Sequence, residues 1–179
     1  EIRSRGLGDV YKRQIIYSTT DGQTVAICNT LVKNHNTDQI KICSIEDAYE
    51  ENLNKYDKII IGASIRYGKH NPRVIEFVKK NLERFNQIKT AFFSVNVVAR
   101  KKNKNTPETN PYVKKFLNNT KWKPTKLSVF AGKVDYPSYR FLDKYIIRLI
   151  MWFTKGPTDV TKSYEFTNWD EVKKFGKVI

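Results

Sequence analysis

The residues able to do chemistry fall in three short strings, each placed directly after an apolar run. The first is Ser18-Thr19-Thr20-Asp21-Gly22-Gln23-Thr24. Four hydroxyl side chains and a glycine precede a helical pattern, and the start of a helix offers free backbone N–H groups and the positive end of a dipole to an anion. With no lysine and without the spacing of a triphosphate P-loop, the string suits a phosphate monoester held by hydroxyl and backbone donors. It also reads as an ordinary N-cap. The second string is Ser64-Ile65-Arg66-Tyr67-Gly68-Lys69-His70, in which Tyr67 can stack on a flat ring and a glycine-containing turn can bring backbone close to it. The third is Val97-Val98-Ala99-Arg100. Taken singly, the last two also read as surface turns. No Ser-His-Asp or paired-carboxylate arrangement can be placed together. Cys28 and Cys43 are the only cysteines and His35 and His70 the only histidines, too scattered for a zinc site, so no metal is expected.

The elements that position these strings alternate short apolar runs with helical patterns, the form of a βαβ protein with a parallel sheet. Strands are expected at Gln14 to Tyr17, with a possible backward extension through Val10 and Tyr11, and at Gln39 to Ile45, Lys58 to Ala63, Thr90 to Asn96 and Leu127 to Ala131. The unbroken apolar centre Ile59-Ile60-Ile61 suits a strand covered on both faces. Helices are expected after the first string, from Pro72 through Leu82, and over roughly Tyr112 to Asn118. The fold class is therefore α/β: a three-layer, doubly wound, five-stranded parallel sheet of order 2-1-3-4-5. In such sheets ligands sit beyond the carboxyl ends of the strands, where all three strings lie.

A chain of 179 residues fits one domain. Residues 1–13 lack an initiator Met and any periodic pattern, so they read as a non-native or scar segment, or else a basic arm, ahead of a domain spanning 14–179. Lys and Arg outnumber Asp and Glu by 33 to 18, a formal charge of +15 that draws the protein to polyanions without choosing among nucleic acid, anionic lipid and acidic small molecules. No apolar run is long enough to span a bilayer. The two cysteines give no disulfide framework, and a reducing compartment fits.

An added amphipathic helix is expected near 138–155. Phe141, Leu142, Tyr145, Ile146, Leu149, Ile150, Trp152 and Phe153 form one broad face, while Ile147 and Met151 interrupt the polar side. So wide an apolar arc, flanked by cations, suits the interface of an anionic bilayer. It equally suits packing over a sheet. The basic run Arg100-Lys101-Lys102-Asn103-Lys104 could meet carboxylates or lipid phosphates, or be solvated.

A cation-free phosphate loop beside an aromatic turn is the usual setting of FMN, and nothing resembles the second nucleotide-binding half that FAD needs. The chain also resembles the flavodoxin-like, menaquinone-dependent protoporphyrinogen IX dehydrogenases of bacterial haem synthesis. The resemblance runs from about Ile15 to the end, on Tyr17-Ser18-Thr19, Asp21-Gly22-Gln23-Thr24, Ile60 through Gly68, Phe77-Val78-Lys79-Lys80, Ser94-Val95-Asn96, Val98-Ala99-Arg100-Lys101, Thr106-Pro107 and Lys115-Phe116-Leu117. It implies a flavodoxin-like fold and FMN held by Ser18 to Thr24, Ser64 to Gly68 (Ser64, Ile65, Arg66, Tyr67) and Ser94, Val95 and Asn96. It further implies protoporphyrinogen IX as substrate, menaquinone or ubiquinone as acceptor, and a peripheral position on the cytoplasmic face of the inner membrane. Arg66 and Arg100 are the candidate anchors for substrate carboxylates. A flavodoxin-type carrier or a quinone reductase would share the flavin loops, but a carrier is expected to be acidic. A nucleic-acid-binding protein would explain the charge and leave the loops without a purpose, so nucleic acid is not expected as a partner.

Overall fold

The computed structural model describes residues 11–33, 35 and 39–179. The chain runs through β1 (Arg13–Ser18), α1 (Gln23–Val32), β2 (Ile40–Ser44), α2 (Ile45–Ala48), β3 (Lys58–Arg66), β4 (Lys69–His70), α3 (Pro72–Lys80) and α4 (Leu82–Gln87). It continues with β5 (Lys89–Val95), α5 (Pro111–Thr120), β6 (Lys126–Phe130), β7 (Lys133–Asp135), α6 (Phe141–Phe153), β8 (Ser163–Glu165) and α7 (Trp169–Gly176). Five strands pair in parallel in the order β2-β1-β3-β5-β6, which is the expected 2-1-3-4-5 once the two-residue β4 is set aside.

Strand alternation divides the core into two layers. Ile59, Ile61, Phe92 and Val129 face α2 to α5, where they meet Val74, Phe77, Phe85, Val113 and Phe116. Ile15, Ile60, Phe93 and Phe130 face the other way, onto Ile27, Cys28 and Leu31 of α1 and Val172 and Phe175 of α7. Ile59, Ile60 and Ile61 are all buried, as a strand covered on both sides requires. Each such side chain contributes about 1.5 to 3 kcal/mol by leaving water. Gly62 interrupts this strand because the Phe93 ring lies over it: a Cβ there would come within 2.1 Å of the ring.

The boundaries depart from sequence expectation where local hydrogen bonds decide them. Arg13, assigned to the preceding segment, opens β1 and pairs with Ile40 and Lys58, whereas Val10 lies outside the described residues. Ile45 leaves the second strand to start α2, because the Ser44 hydroxyl accepts from Asp47 N–H at 3.1 Å. The long helix expected from Pro72 is broken at Asn81, whose Nδ2 donates to the Phe77 carbonyl at 2.9 Å. Asn96 leaves β5 and caps a short 3₁₀ turn, Val97–Arg100, through Oδ1 and the Ala99 N–H.

The interruptions at Ile147 and Met151 turn out to be the anchors of α6. These two side chains are buried against Val134 and Tyr136 in a small third cluster. The broad face is turned outward: Phe141, Leu142, Trp152 and Phe153 are 74%, 72%, 64% and 72% exposed. The helix thus does not lay its wide apolar arc on the sheet. Its end is a Schellman turn, with Gly156 N–H donating to the Met151 carbonyl at 2.7 Å and Lys155 N–H to Trp152 at 3.2 Å. A Cβ on Gly156 would stand 2.4 Å from the Met151 side chain and 2.8 Å from Arg100, so the turn closes only around glycine.

Candidate functional site

The carboxyl ends of β1, β3 and β5 open into one cleft, which α6 closes on the far side. Of the residues singled out in the sequence, Thr19, Asp21, Gln23, Ser64 through Gly68, Val95 and Asn96 line it, together with Val97 and Val98. Ser18, Thr20, Gly22, Thr24, Ser94 and Arg100 do not. The cleft is completed by residues the sequence reading did not assign to the site: Tyr112, Gly132, Lys133, Val134, Tyr139, Ile147, Ile150 and Met151. Topology alone could have pointed to Gly132 and Lys133, since they follow the fifth parallel strand.

The first string does not form an N-cap. Gly22 occupies the cap position of α1 in the left-handed region, at φ 81°, and no side chain caps the helix. By contrast, Ser44, Asn71, Asn110 and Asn168 cap α2, α3, α5 and α7. Thr19 Oγ1 instead accepts from Gly22 N–H at 3.0 Å, which folds the loop back on itself. Thr24, in the first turn of α1, is fully buried, and its hydroxyl has no hydrogen-bond partner within the protein. A buried hydroxyl without a partner beside an uncapped helix start fits a phosphate group whose oxygens would accept from it. Gln23 is held to the side, donating to Glu165 at 2.7 Å and Thr167 at 2.9 Å.

The second string is a tight hairpin. Ile65 pairs with His70 and Arg66 with Lys69, leaving Tyr67 and Gly68 as the two turn residues, both left-handed at φ 49° and 76°. This is the pattern of a type I′ turn, comfortable for Gly68 and strained for Tyr67. The turn aims Arg66 across the mouth of the cleft. One guanidinium nitrogen donates to both Asp21 oxygens, at 2.9 and 3.1 Å, and the other stands 3.4 Å from Asp143 on α6. The guanidinium also lies 5.1 Å from the Tyr67 ring and 5.2 Å from the Tyr139 ring. The Tyr67 hydroxyl donates to Asp143.

Burial raises Asp21 above the ordinary carboxyl range, against the pull of Arg66. Arg66 is pushed down most by burial, yet Asp21, Tyr67 and Asp143 leave it raised overall. The double contact of Arg66 with Asp21 has the geometry of a charge-assisted pair. Burial takes Tyr139 up to about 12.

Arg100 faces away from the cleft. It donates to the Val97 carbonyl at 3.0 Å and to the carbonyl and hydroxyl of Thr154 at 2.7 and 3.1 Å, stapling the end of α6 to the third string. Beneath the floor runs a buried polar chain. His70 Nε2 and Ser94 Oγ are 3.0 Å apart, Asn96 Nδ2 donates to the same hydroxyl at 3.1 Å, and Asn110 Nδ2 donates to Asn96 Oδ1 at 3.1 Å. The Asn110 carbonyl caps α5 by accepting from Tyr112 and Val113 N–H. The β4 strand, the end of β5 and both ends of the β5–α5 connection are thereby tied through one set of hydrogen bonds.

Among the described residues no group of three or more His, Cys, Asp or Glu side chains could hold a metal ion, and both cysteines are buried free thiols. A family model described as a flavodoxin domain matches residues 14–161. The protoporphyrinogen IX dehydrogenase (quinone) of Escherichia coli strain K12 is 42% identical over 170 residues, covering 94% of each chain. A protein of the same name from Leishmania major is 42% identical over 165 residues, covering 90% of this chain and 71% of its own. Among solved structures, an FMN-bound flavodoxin of Fusobacterium nucleatum aligns with a TM-score of 0.42 at 14% identity, over 68% of this chain and 71% of its own. With most of its length matched by that model and by full-length relatives, the chain belongs to the flavodoxin-domain family.

Proposed function

We propose that the chain is an FMN enzyme that oxidises protoporphyrinogen IX to protoporphyrin IX and passes the electrons to a membrane quinone, menaquinone or ubiquinone. The carrying observation is the 42% identity, over nearly the whole of both chains, to a protein named for that activity. The uncapped start of α1, with the unpartnered Thr24 hydroxyl, supports the phosphate end of the cofactor. The flavin set is Ser18 to Thr24, Ser64 to Gly68, Val95 and Asn96, with Ser94 buried beneath the floor and engaged by His70 and Asn96 rather than facing the cleft. When bound there, FMN would supply two-electron redox chemistry between the porphyrinogen and the quinone. The chain's own residues do the rest. Val95, Val97 and Val98 give an apolar wall that excludes water, and Ile147, Ile150 and Met151 give the opposite one. Arg66, paired with Asp21 and Asp143, and Lys133, 3.6 Å from Asp135, are the cations lining the cleft that can meet substrate carboxylates, whereas Arg100 is held at the end of α6 outside it.

The outward face of α6 supports a peripheral position on an anionic membrane, at the cytoplasmic face of a bacterial inner membrane, where substrate and quinone are dissolved. Among the described residues no helix is long and apolar enough to cross a membrane. A soluble electron carrier is the weaker reading, since it accounts for neither the exposed aromatic helix nor the +15 charge. The purified protein should be yellow, release FMN on denaturation, bleach anaerobically with protoporphyrinogen IX and recolour on addition of menaquinone. A yellow protein that protoporphyrinogen does not bleach would leave the carrier reading in its place.

A further inference from the structure

We infer that Asp143 is a specificity-determining residue, an internal carboxylate that occupies Arg66 until a carboxylate of the substrate exchanges with it. The inference rests on the porphyrinogen reading above. Arg66 carries two carboxylates of unequal standing: Asp21 lies within 3.1 Å through both oxygens, whereas Asp143 stands at 3.4 Å through one. Asp21 belongs to the loop that starts α1. Asp143 belongs to the first turn of α6, whose buried side chains, Ile147 and Met151, come later in the helix. Phe141 and Leu142, just ahead of Asp143, are 74% and 72% exposed. The front of the helix is therefore held to the opposite wall of the cleft by Asp143, through Arg66 and the Tyr67 hydroxyl.

A propionate has the same charge and geometry as this side chain. Entering the cleft, it can replace Asp143 on the guanidinium while the number of ion pairs on Arg66 stays the same, and Tyr67 keeps a carboxylate to donate to. A neutral ester offers no such exchange, because it has no differential affinity for the freed arginine. Asp143 thus sets a threshold that a carboxylated tetrapyrrole passes and an uncharged one does not. Removing its charge should make acid binding tighter, the reverse of what loss of a merely structural contact does.

The test is equilibrium binding of protoporphyrin IX and of its dimethyl ester to the flavin-loaded protein in detergent, for wild type, Asp143→Asn and Arg66→Gln. Asparagine keeps an acceptor for Tyr67 and removes only the charge. The acid should bind Asp143→Asn about threefold more tightly, in keeping with a part-exposed ion pair, and the ester with unchanged affinity. Arg66→Gln should lose the preference of wild type for acid over ester. Unchanged or weaker acid binding by Asp143→Asn overturns the inference and leaves the porphyrinogen reading intact, as does equal tightening of acid and ester. Should Asp143→Asn not fold, equal affinities of wild type for acid and ester overturn it. If neither porphyrin binds wild type, the substrate reading falls and the inference falls with it.

Discussion

Thr24 and His70 show how two buried polar residues can have opposite meanings. The Thr24 hydroxyl has no internal partner, and an unpartnered buried hydroxyl costs about 1 to 3 kcal/mol unless a ligand satisfies it. Thr24→Val should therefore leave the apoprotein as stable or more stable, and weaken FMN by about 1.5 to 3 kcal/mol, a loss of tenfold or more readable by flavin fluorescence titration. Unchanged affinity would remove the hydroxyl from the phosphate site. His70 has Ser94 as a partner and stands edge-on against the stacked rings of Phe92 and Phe116, with ring centroids at 5.8 and 5.0 Å. Burial lowers its pKa to about 4, so the unfolded chain takes up the proton first as pH falls. Its contribution is complete above about pH 6.5 and is lost toward pH 4, by at most about 3 kcal/mol. Urea unfolding at pH 7 and 4.5 should show a smaller pH effect in His70→Gln than in wild type; equal effects would show that another group governs acid stability. The loop ahead of α1 was legible as a helix entry because hydroxyls, glycine and helix onset are local signals. The role of His70 was not, because its partners Ser94 and Phe116 lie 24 and 46 positions away in sequence and meet only through the β3–β5 pairing.

At the scale of elements, periodicity locates α6 but cannot orient it. Eight large apolar residues on one arc outweigh Ile147 and Met151 in any count of faces, yet the minority pair is buried. The deciding contacts come from β7 and β8, a short antiparallel pair whose strands flank α6 in sequence, with Val134, Tyr136 and Tyr164 supplying the seat. The parallel strands were legible because both-face burial makes them continuous apolar runs, whereas β7 is only three residues long. Orientation makes a direct prediction. Ile147→Ala and Met151→Ala should each cost about 2 to 5 kcal/mol if the seat closes poorly, and loosen the wall of the cleft. Leu142→Ser and Phe153→Ser should change stability by no more than about 0.5 kcal/mol. Thermal or urea unfolding checks the ranking, and destabilisation by the outward pair as large as by the inward pair would place the broad face in the core.

On the whole molecule, the exposed stripe of α6 ends beside a group of cations. Monomeric soluble proteins rarely expose so many contiguous large apolar side chains. At the end of that stripe, beyond Trp152 and Phe153, cations gather: Lys101 is lowered from its ordinary range first by slight burial and then by Arg100, Lys104 and Lys155 nearby. On the reading proposed above, the aromatic side chains insert into an anionic bilayer and the ammonium groups meet its phosphates. Vesicles containing an anionic lipid should therefore bind the protein and neutral ones bind it poorly. Binding should weaken with added salt, since exposed charges are screened beyond about 10 Å at 0.1 M. Trp152→Ser with Phe153→Ser should lower vesicle binding and quinone-linked turnover together, while FMN content and turnover with a soluble artificial acceptor persist, because neither residue lines the cleft. Full quinone activity of that double variant on vesicles, with flavin retained, would mean that the chain meets its acceptor through some other surface.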